Sequence, residues 1–319
     1  MLTRRRFLKQ TFAFSAAASL VGCGQSANQI VNSVSAVARK EEVSHILMLG
    51  DWGSDGVPSS QQQVAIGMQT YVANQHISTD ALIMLGDNFY GSLPGGTADP
   101  RWRTQFEQMY PASIFNCPAY ATLGNHDYEG SKVATELAYA QTGNTRWTMP
   151  SRYYRFTFPS QNPVATFVCL DSNVPDDPTQ REWLTNILSE PLTTPFLAWF
   201  AHHPVYSNGP HGDNNALVTA WDPLLRKNGV HLYLAGHDHD LQHLEFAGHP
   251  TSFICSGGGG APLYHLPLPA GARGPFAEMA FGFTHLQLQP NLMTIRHIGI
   301  DGTTLHAFTK TPDGHVTIL

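Results

Sequence analysis

Ala81-Leu-Ile-Met-Leu-Gly-Asp-Asn-Phe-Tyr90 passes from an unbroken apolar run into a turn carrying a carboxylate, an amide and a phenol. A short apolar run closed by glycine reads as a strand buried on both faces. The same arrangement recurs along the chain. Gly50-Asp-Trp-Gly53 follows Ile46-Leu-Met-Leu49, and Gly124-Asn-His-Asp127 follows Ala119-Tyr-Ala-Thr-Leu123. Ala201-His-His-Pro204 follows Phe196-Leu-Ala-Trp-Phe200, and Gly236-His-Asp-His239 follows Val230-His-Leu-Tyr-Leu-Ala235. In an open α/β sheet, ligand sites lie outside the carboxyl ends of the strands. Five clusters of metal-binding side chains are therefore expected to meet in one crevice.

Between these runs the pattern suits helices. Gln61 to Asn74 carries Val64, Ile66, Met68, Tyr71 and Val72 and predicts an amphipathic helix. Pro100 to Met109 and Thr179 to Leu188 read the same way. Beyond Gly260 the chain predicts antiparallel strands over Phe283–Leu288, Leu292–Ile298 and Thr304–Lys310, with turns at Pro290-Asn291 and Asp301-Gly302. No internal repeat is visible. At 319 residues, 42% apolar and 13% charged, the chain suits one large globular domain.

The five motifs, in this order from Ile46 to Gly260, resemble the metallophosphoesterase superfamily. Tyr90 in the second motif makes the set similar to the purple acid phosphatases of the small, single-domain, tartrate-resistant kind. The resemblance implies an α/β fold of two facing mixed β-sheets flanked by helices, a four-layer sandwich, with residues 43–319 as the catalytic domain. It also implies two metal ions. Asp51, Tyr90 and His239 would hold the first and Asn125, His202 and His237 the second, with Asp87 bridging. The chemistry of the donors agrees. Carboxylates and a phenolate are hard anionic ligands suited to Fe(III), whereas an amide and two imidazoles suit a divalent Fe, Zn or Mn. Of the adjacent His202 and His203, only one is expected to face the site, and the resemblance selects His202.

The implied activity is hydrolysis of small phosphate monoesters, an acid phosphatase reaction in which a metal-bound hydroxide attacks phosphorus. His126 would protonate the leaving group. His211 would stand beside the substrate, against the plainer reading of a solvated loop histidine. The chain has 16 histidines; His203 reads as a packing residue or one standing just behind the ligands, and His243, His249, His265, His285 and His297 read as packing or surface residues. Gly257-Gly-Gly-Gly260 lacks the Lys-Ser/Thr ending of a nucleotide loop and reads as a flexible turn near the crevice. No serine sits in a nucleophile elbow. Two alternatives remain: a phosphodiesterase or nucleotidase on the same fold, or a non-catalytic envelope lipoprotein that binds metal or phosphate. The first group usually carries histidine where this chain has Gly53, and the second calls for a broken ligand set. The segment Asp171 to Gln180 is short, which predicts an open site without a covering loop.

Thr3-Arg-Arg-Arg-Phe-Leu-Lys9, then the apolar stretch Thr11–Gly22, resembles a twin-arginine export signal over residues 1–22. Leu20-Val-Gly-Cys23 resembles a lipoprotein cleavage box. Residues 23–42 then read as a polar tether. These features predict export and a lipid anchor on Cys23 as the one link to a bacterial membrane. Without Arg4, Arg5, Arg6 and Lys9 the chain keeps 14 basic against 24 acidic side chains, a formal net charge of −10. Such a surface offers nothing to nucleic acid, and no obligate protein partner is expected. Cys117, Cys169 and Cys255 lie in apolar runs and read as inert thiols.

Overall fold

The strands that carry the motifs are apolar on both faces because each is packed on both. The computed structural model describes residues 43–53, 59–269 and 271–319; the expected signal, lipid-anchor cysteine and tether lie outside them. β1 (Ser44–Leu49), α1 (Ser59–Gln75), β2 (Ala81–Met84), β3 (Ala119–Ala121) and β4 (Trp147–Thr148) come first, with α2 (Lys132–Ala140) between β3 and β4. β5 (Tyr154–Phe158), β6 (Ala165–Cys169), α3 (Pro178–Ser189), β7 (Phe196–Phe200), α4 (Asn215–Lys227) and β8 (Leu232–Ala235) follow. The remainder is β9 (Leu241–Leu244), β10 (Ser252–Ser256), β11 (Phe276–Glu278), β12 (Gly282–Gln289), β13 (Leu292–Gly299), β14 (Thr304–Lys310) and β15 (Val316–Ile318).

Two mixed sheets result. One has the order β15-β14-β13-β12-β1-β2-β3-β4 and the other β11-β9-β10-β8-β7-β6-β5. β1, β2 and β3 run parallel in the first, and β6, β7 and β8 in the second. On β1, Ile46 and Met48 pack between the sheets with Phe167, Phe200 and Leu234. Leu47 and Leu49 face the other way, against α1 and an aromatic layer. The outer face of the second sheet is covered by α3 and α4 through Leu184, Leu217, Trp221 and Leu225. The layers are helix, sheet, sheet, helix, as expected. Burial of each large apolar side chain contributes about 1.5–3 kcal/mol before chain entropy is offset.

Two details differ from the sequence reading. Ile66 is 53% exposed on α1, because two residues beyond Val64 is roughly the opposite side of a helix. The helix expected over Pro100–Met109 is a π-helical turn over Trp102–Glu107, marked by Gln108 N donating to Arg103 O at 2.8 Å. The wider turn seats Trp102 and Phe106 together in the aromatic cluster around Trp52 and Trp147.

Candidate metal centre

The ligand-bearing residues leave their strands by a backbone reversal that few side chains tolerate. Asp51, Asp87 and His237 have φ of +60°, +48° and +70°, three of the five described non-glycine residues in that region. Such conformations cost about 1–3 kcal/mol each and cluster at functional sites. The reversal at His237 also lets two histidines only two residues apart turn to different partners, which a regular strand forbids.

Glycines bring the loops together. A Cβ on Gly124 would lie 2.1 Å from Asp87 Oδ1 and 2.2 Å from Asp87 N. Asp87 backbone must therefore move in Gly124→Ala. We expect that variant to fold but to lose metal affinity and about 10²-fold in turnover, the scale of an ångström misplacement; metal analysis and steady-state kinetics check it. Gly257–Gly260 is likewise not a flexible turn. All four glycines are buried, Gly259 N donates to Gly50 O (3.1 Å) and Ala261 N donates to Asp51 O (2.8 Å), so the run props the first ligand loop.

Seven predicted ligands converge. Tyr90 Oη is 3.4 Å from Asp51 Oδ1 and 3.1 Å from His239 Nε2. His239 Nδ1 donates to Pro262 O (2.7 Å), which leaves its Nε2 lone pair facing Asp51 and Tyr90. His202 Nδ1 donates to Leu85 O (2.9 Å), so its Nε2 lone pair faces inward. That atom lies 3.1 Å from Asn125 Oδ1 and 3.2 Å from His237 Nδ1. His237 Nδ1 is 3.0 Å from the same amide oxygen. Asp87 touches both groups: its carboxylate lies within 4.8 Å of the ligand atoms of Asp51 and His202, and its Oδ1 is 3.5 Å from His202 Nε2.

This donor set fits cations. Asp51 and Asp87 are buried, and their ion-pair partners among the described residues are histidines alone. Burial, and then Asp87, pushes the Asp51 carboxyl up. Burial, and then Asp51 and Asp87, drives the Tyr90 phenol far above its ordinary range. Burial pulls the His202 imidazole down but Asp87 and Asp51 outweigh it, whereas burial and the neighbouring imidazoles hold His237 neutral. Buried anions and inward lone pairs so close together are mutually repulsive until positive charge sits among them.

The remaining predicted residues are close by. His126 donates its backbone N–H to Asp87 Oδ1 (2.9 Å), and its ring lies 4.4 Å from that of Tyr90. His211 packs its ring 4.2 Å from His237 and bonds through Nδ1 to the buried Asp238 at 2.6 Å. It therefore belongs to the site rather than to a free loop. His203 bonds to Ser172 through Nδ1 (2.8 Å), but its ring lies 4.3 Å from that of His237 and a ring nitrogen lies within 4.8 Å of ligand atoms of His202 and His237, so it stands directly beside the second donor group. His243, His249, His285 and His297 are buried and His265 is exposed. Cys117, Cys169 and Cys255 are buried free thiols.

Residues not assigned from the sequence hold the loops in register. Asp127 accepts backbone N–H groups from Asn88 (3.1 Å), Phe89 (3.1 Å) and Gly124 (2.8 Å), tying the loop after β2 to the loop after β3. Burial, and then Asp127, pushes the neighbouring Glu136 carboxyl well above its ordinary range, and Glu136 accepts from Asn88 Nδ2 (3.0 Å). Tyr264 stacks on His239 at 4.1 Å. Asp127 stood in a quoted motif; Glu136 and Tyr264 carry no sequence signal of their own.

The profile of the calcineurin-like phosphoesterases matches residues 22–241. The chain is 31% identical over 294 residues to tartrate-resistant acid phosphatase type 5 of Oryctolagus cuniculus, covering 81% of this chain and 87% of that protein. It is 31% identical over 233 residues to purple acid phosphatase 7 of Arabidopsis thaliana, covering 67% and 69%. GAP50, described as the anchor in the inner membrane complex of Plasmodium, superposes with a TM-score of 0.74 at 22% identity over 83% of this chain and 87% of its own, which shows a shared fold. Fold, converging ligands and sequence similarity together place this chain in the calcineurin-like phosphoesterase family, among relatives that are tartrate-resistant and purple acid phosphatases.

Proposed function

We propose that the protein is a two-metal acid phosphatase acting on small phosphate monoesters. The observation that carries this is the complete ligand set: two groups of donors joined by Asp87, with His126 and His211 at the mouth. Asp51, Asp87, Tyr90 and His239 would hold Fe(III). Asp87, Asn125, His202 and His237 would hold divalent Fe, Zn or Mn. When bound, such ions offset phosphate charge and lower the pKa of water. The protein's own groups do the rest. His126 hands a proton to the departing oxygen. His211, fixed by Asp238, donates to a phosphate oxygen. A cavity of about 360 Å³ beside His237, lined in part by His203, His211 and Asn214, gives the substrate room beside the second donor group. Turnover of p-nitrophenyl phosphate against bis(p-nitrophenyl) phosphate tests the reading; preference for the diester overturns it.

The iron assignment rests on Tyr90. A phenolate on Fe(III) absorbs visible light, so the oxidised protein is expected to be pink to purple. Tyr90→Phe is expected to abolish that band while the Asn125, His202 and His237 group retains its ion. A coloured variant, by absorbance and metal analysis, removes Tyr90 from the ligand set.

Location follows from the N-terminal sequence. Export by the twin-arginine route and a lipid on Cys23 would tether the enzyme to the outer side of a bacterial membrane. Cys23→Ala is expected to move activity into the soluble fraction or to leave unprocessed precursor. A variant that stays membrane-bound at mature mass contradicts the anchor.

A further inference from the structure

Lys132 is 2% exposed, and nothing in the reaction uses it. Its Nζ donates to Phe89 O (2.7 Å) and Gly91 O (2.5 Å), the carbonyls on either side of Tyr90. The same nitrogen stands 3.7 Å from Glu129 Oε2, and Glu129 Oε1 lies 3.0 Å from His126 Nδ1. His126, Glu129 and Lys132 are spaced by three. Residues 126–128 form a 3₁₀ turn, Glu129 leaves it in an extended conformation and Lys132 opens α2, so the contacts rather than a helical period set the line. The line therefore runs from a buried cation, through a carboxylate, to the histidine facing the metal centre.

We propose that Glu129, steadied by Lys132, is a positioning residue that fixes the ring orientation of His126, holding its Nδ1–H so that the Nε2 edge is the one that carries the donated proton to the leaving group. This rests on the reading of His126 as proton donor. A carboxylate only accepts, so Nδ1 must carry the proton in that hydrogen bond. The opposite nitrogen, Nε2, then faces the centre, 4.0 Å from Asp87 Oδ2. Backbone and ring contacts alone do not achieve this. The His126 N–H bond to Asp87 and the Tyr90 ring set where the imidazole lies, but a half-turn about its Cβ–Cγ bond would exchange the two edges of the ring. Glu129 is 58% exposed, and an isolated exposed carboxylate holds little. Here its second oxygen faces a lysine that two carbonyls pin in place, so the pair acts as one clamp on both His126 and the loop carrying Tyr90.

The test is a mutant cycle on metal-loaded enzyme with p-nitrophenyl phosphate and glycerol 2-phosphate. Glu129→Ala is expected to lower kcat on glycerol 2-phosphate about 10-fold, the low end for a partner that orients a working group, and to affect p-nitrophenyl phosphate less. KM and metal content should hold. Glu129→Gln should restore most of the loss, because its amide oxygen accepts the same proton. In a His126→Ala background, Glu129→Ala should cost nothing further. The proposal fails if Glu129→Ala is native-like on both esters while His126→Ala is impaired, if its loss persists without His126, or if it releases metal. Equal losses on both esters in His126→Ala would instead remove the donor reading itself, and this role with it.

Discussion

Asp87→Asn is expected to cost turnover on the order of 10⁴-fold, the size seen when one member of a catalytic unit is removed. The amide preserves shape and still accepts the His126 N–H, so folding is not the cause. What disappears is the one negative charge that both ligand groups share. Metal analysis should find less than one equivalent of each ion. Stability should move the opposite way in the absence of metal. Asp51 and Asp87 are both buried, and Asp87 makes Asp51 costlier to ionise. Neutralising one should raise the Tm of the metal-free protein. Added metal should then stabilise the native chain strongly and the variant weakly, by mass action on the folded state. A variant that keeps two equivalents of metal would show that Asp87 does not bridge.

His126→Ala is expected to keep both metals and lose about 10²–10⁴-fold in turnover, the range for a general acid. None of the converging donors comes from its ring, so metal content isolates the effect. The loss should be greater for glycerol 2-phosphate, whose alkoxide needs a proton to leave, than for p-nitrophenyl phosphate, whose phenolate does not. Equal losses would assign His126 to phosphate positioning. The comparison uses a contrast between substrates, so a small general loss of structure does not imitate it.

How much of this was legible in advance differs between parts of the molecule. The strand ends were plain, because a buried strand is a continuous apolar run and a side chain that binds a cation must interrupt it. Asp51, Asp87, Tyr90, Asn125, His202, His237 and His239 stand at such interruptions, and family resemblance sorted them into two groups. The C-terminal hairpins were plain as well, since Pro290-Asn291 and Asp301-Gly302 punctuate alternating strands. The π-helical turn at Trp102–Glu107 was not. Its first and last turns look like any amphipathic helix, and only the shape of the aromatic cluster favours the extra residue.

The status of His211 was equally hidden, because a histidine in a polar loop is ambiguous until Asp238 is found 2.6 Å away. Glu136, Tyr264 and the His126–Glu129–Lys132 line belong to the same class. Their chemistry depends on which groups lie within 3–4 Å, and sequence spacing does not encode distance between elements joined by loops. The sequence by itself determined the order of the strands' polar ends, the donor types and the acidic character of the chain. Only the tertiary structure decided which donors meet, which tautomers the backbone carbonyls impose and which carboxylate stands against His126, because burial and the packing of two sheets set those distances.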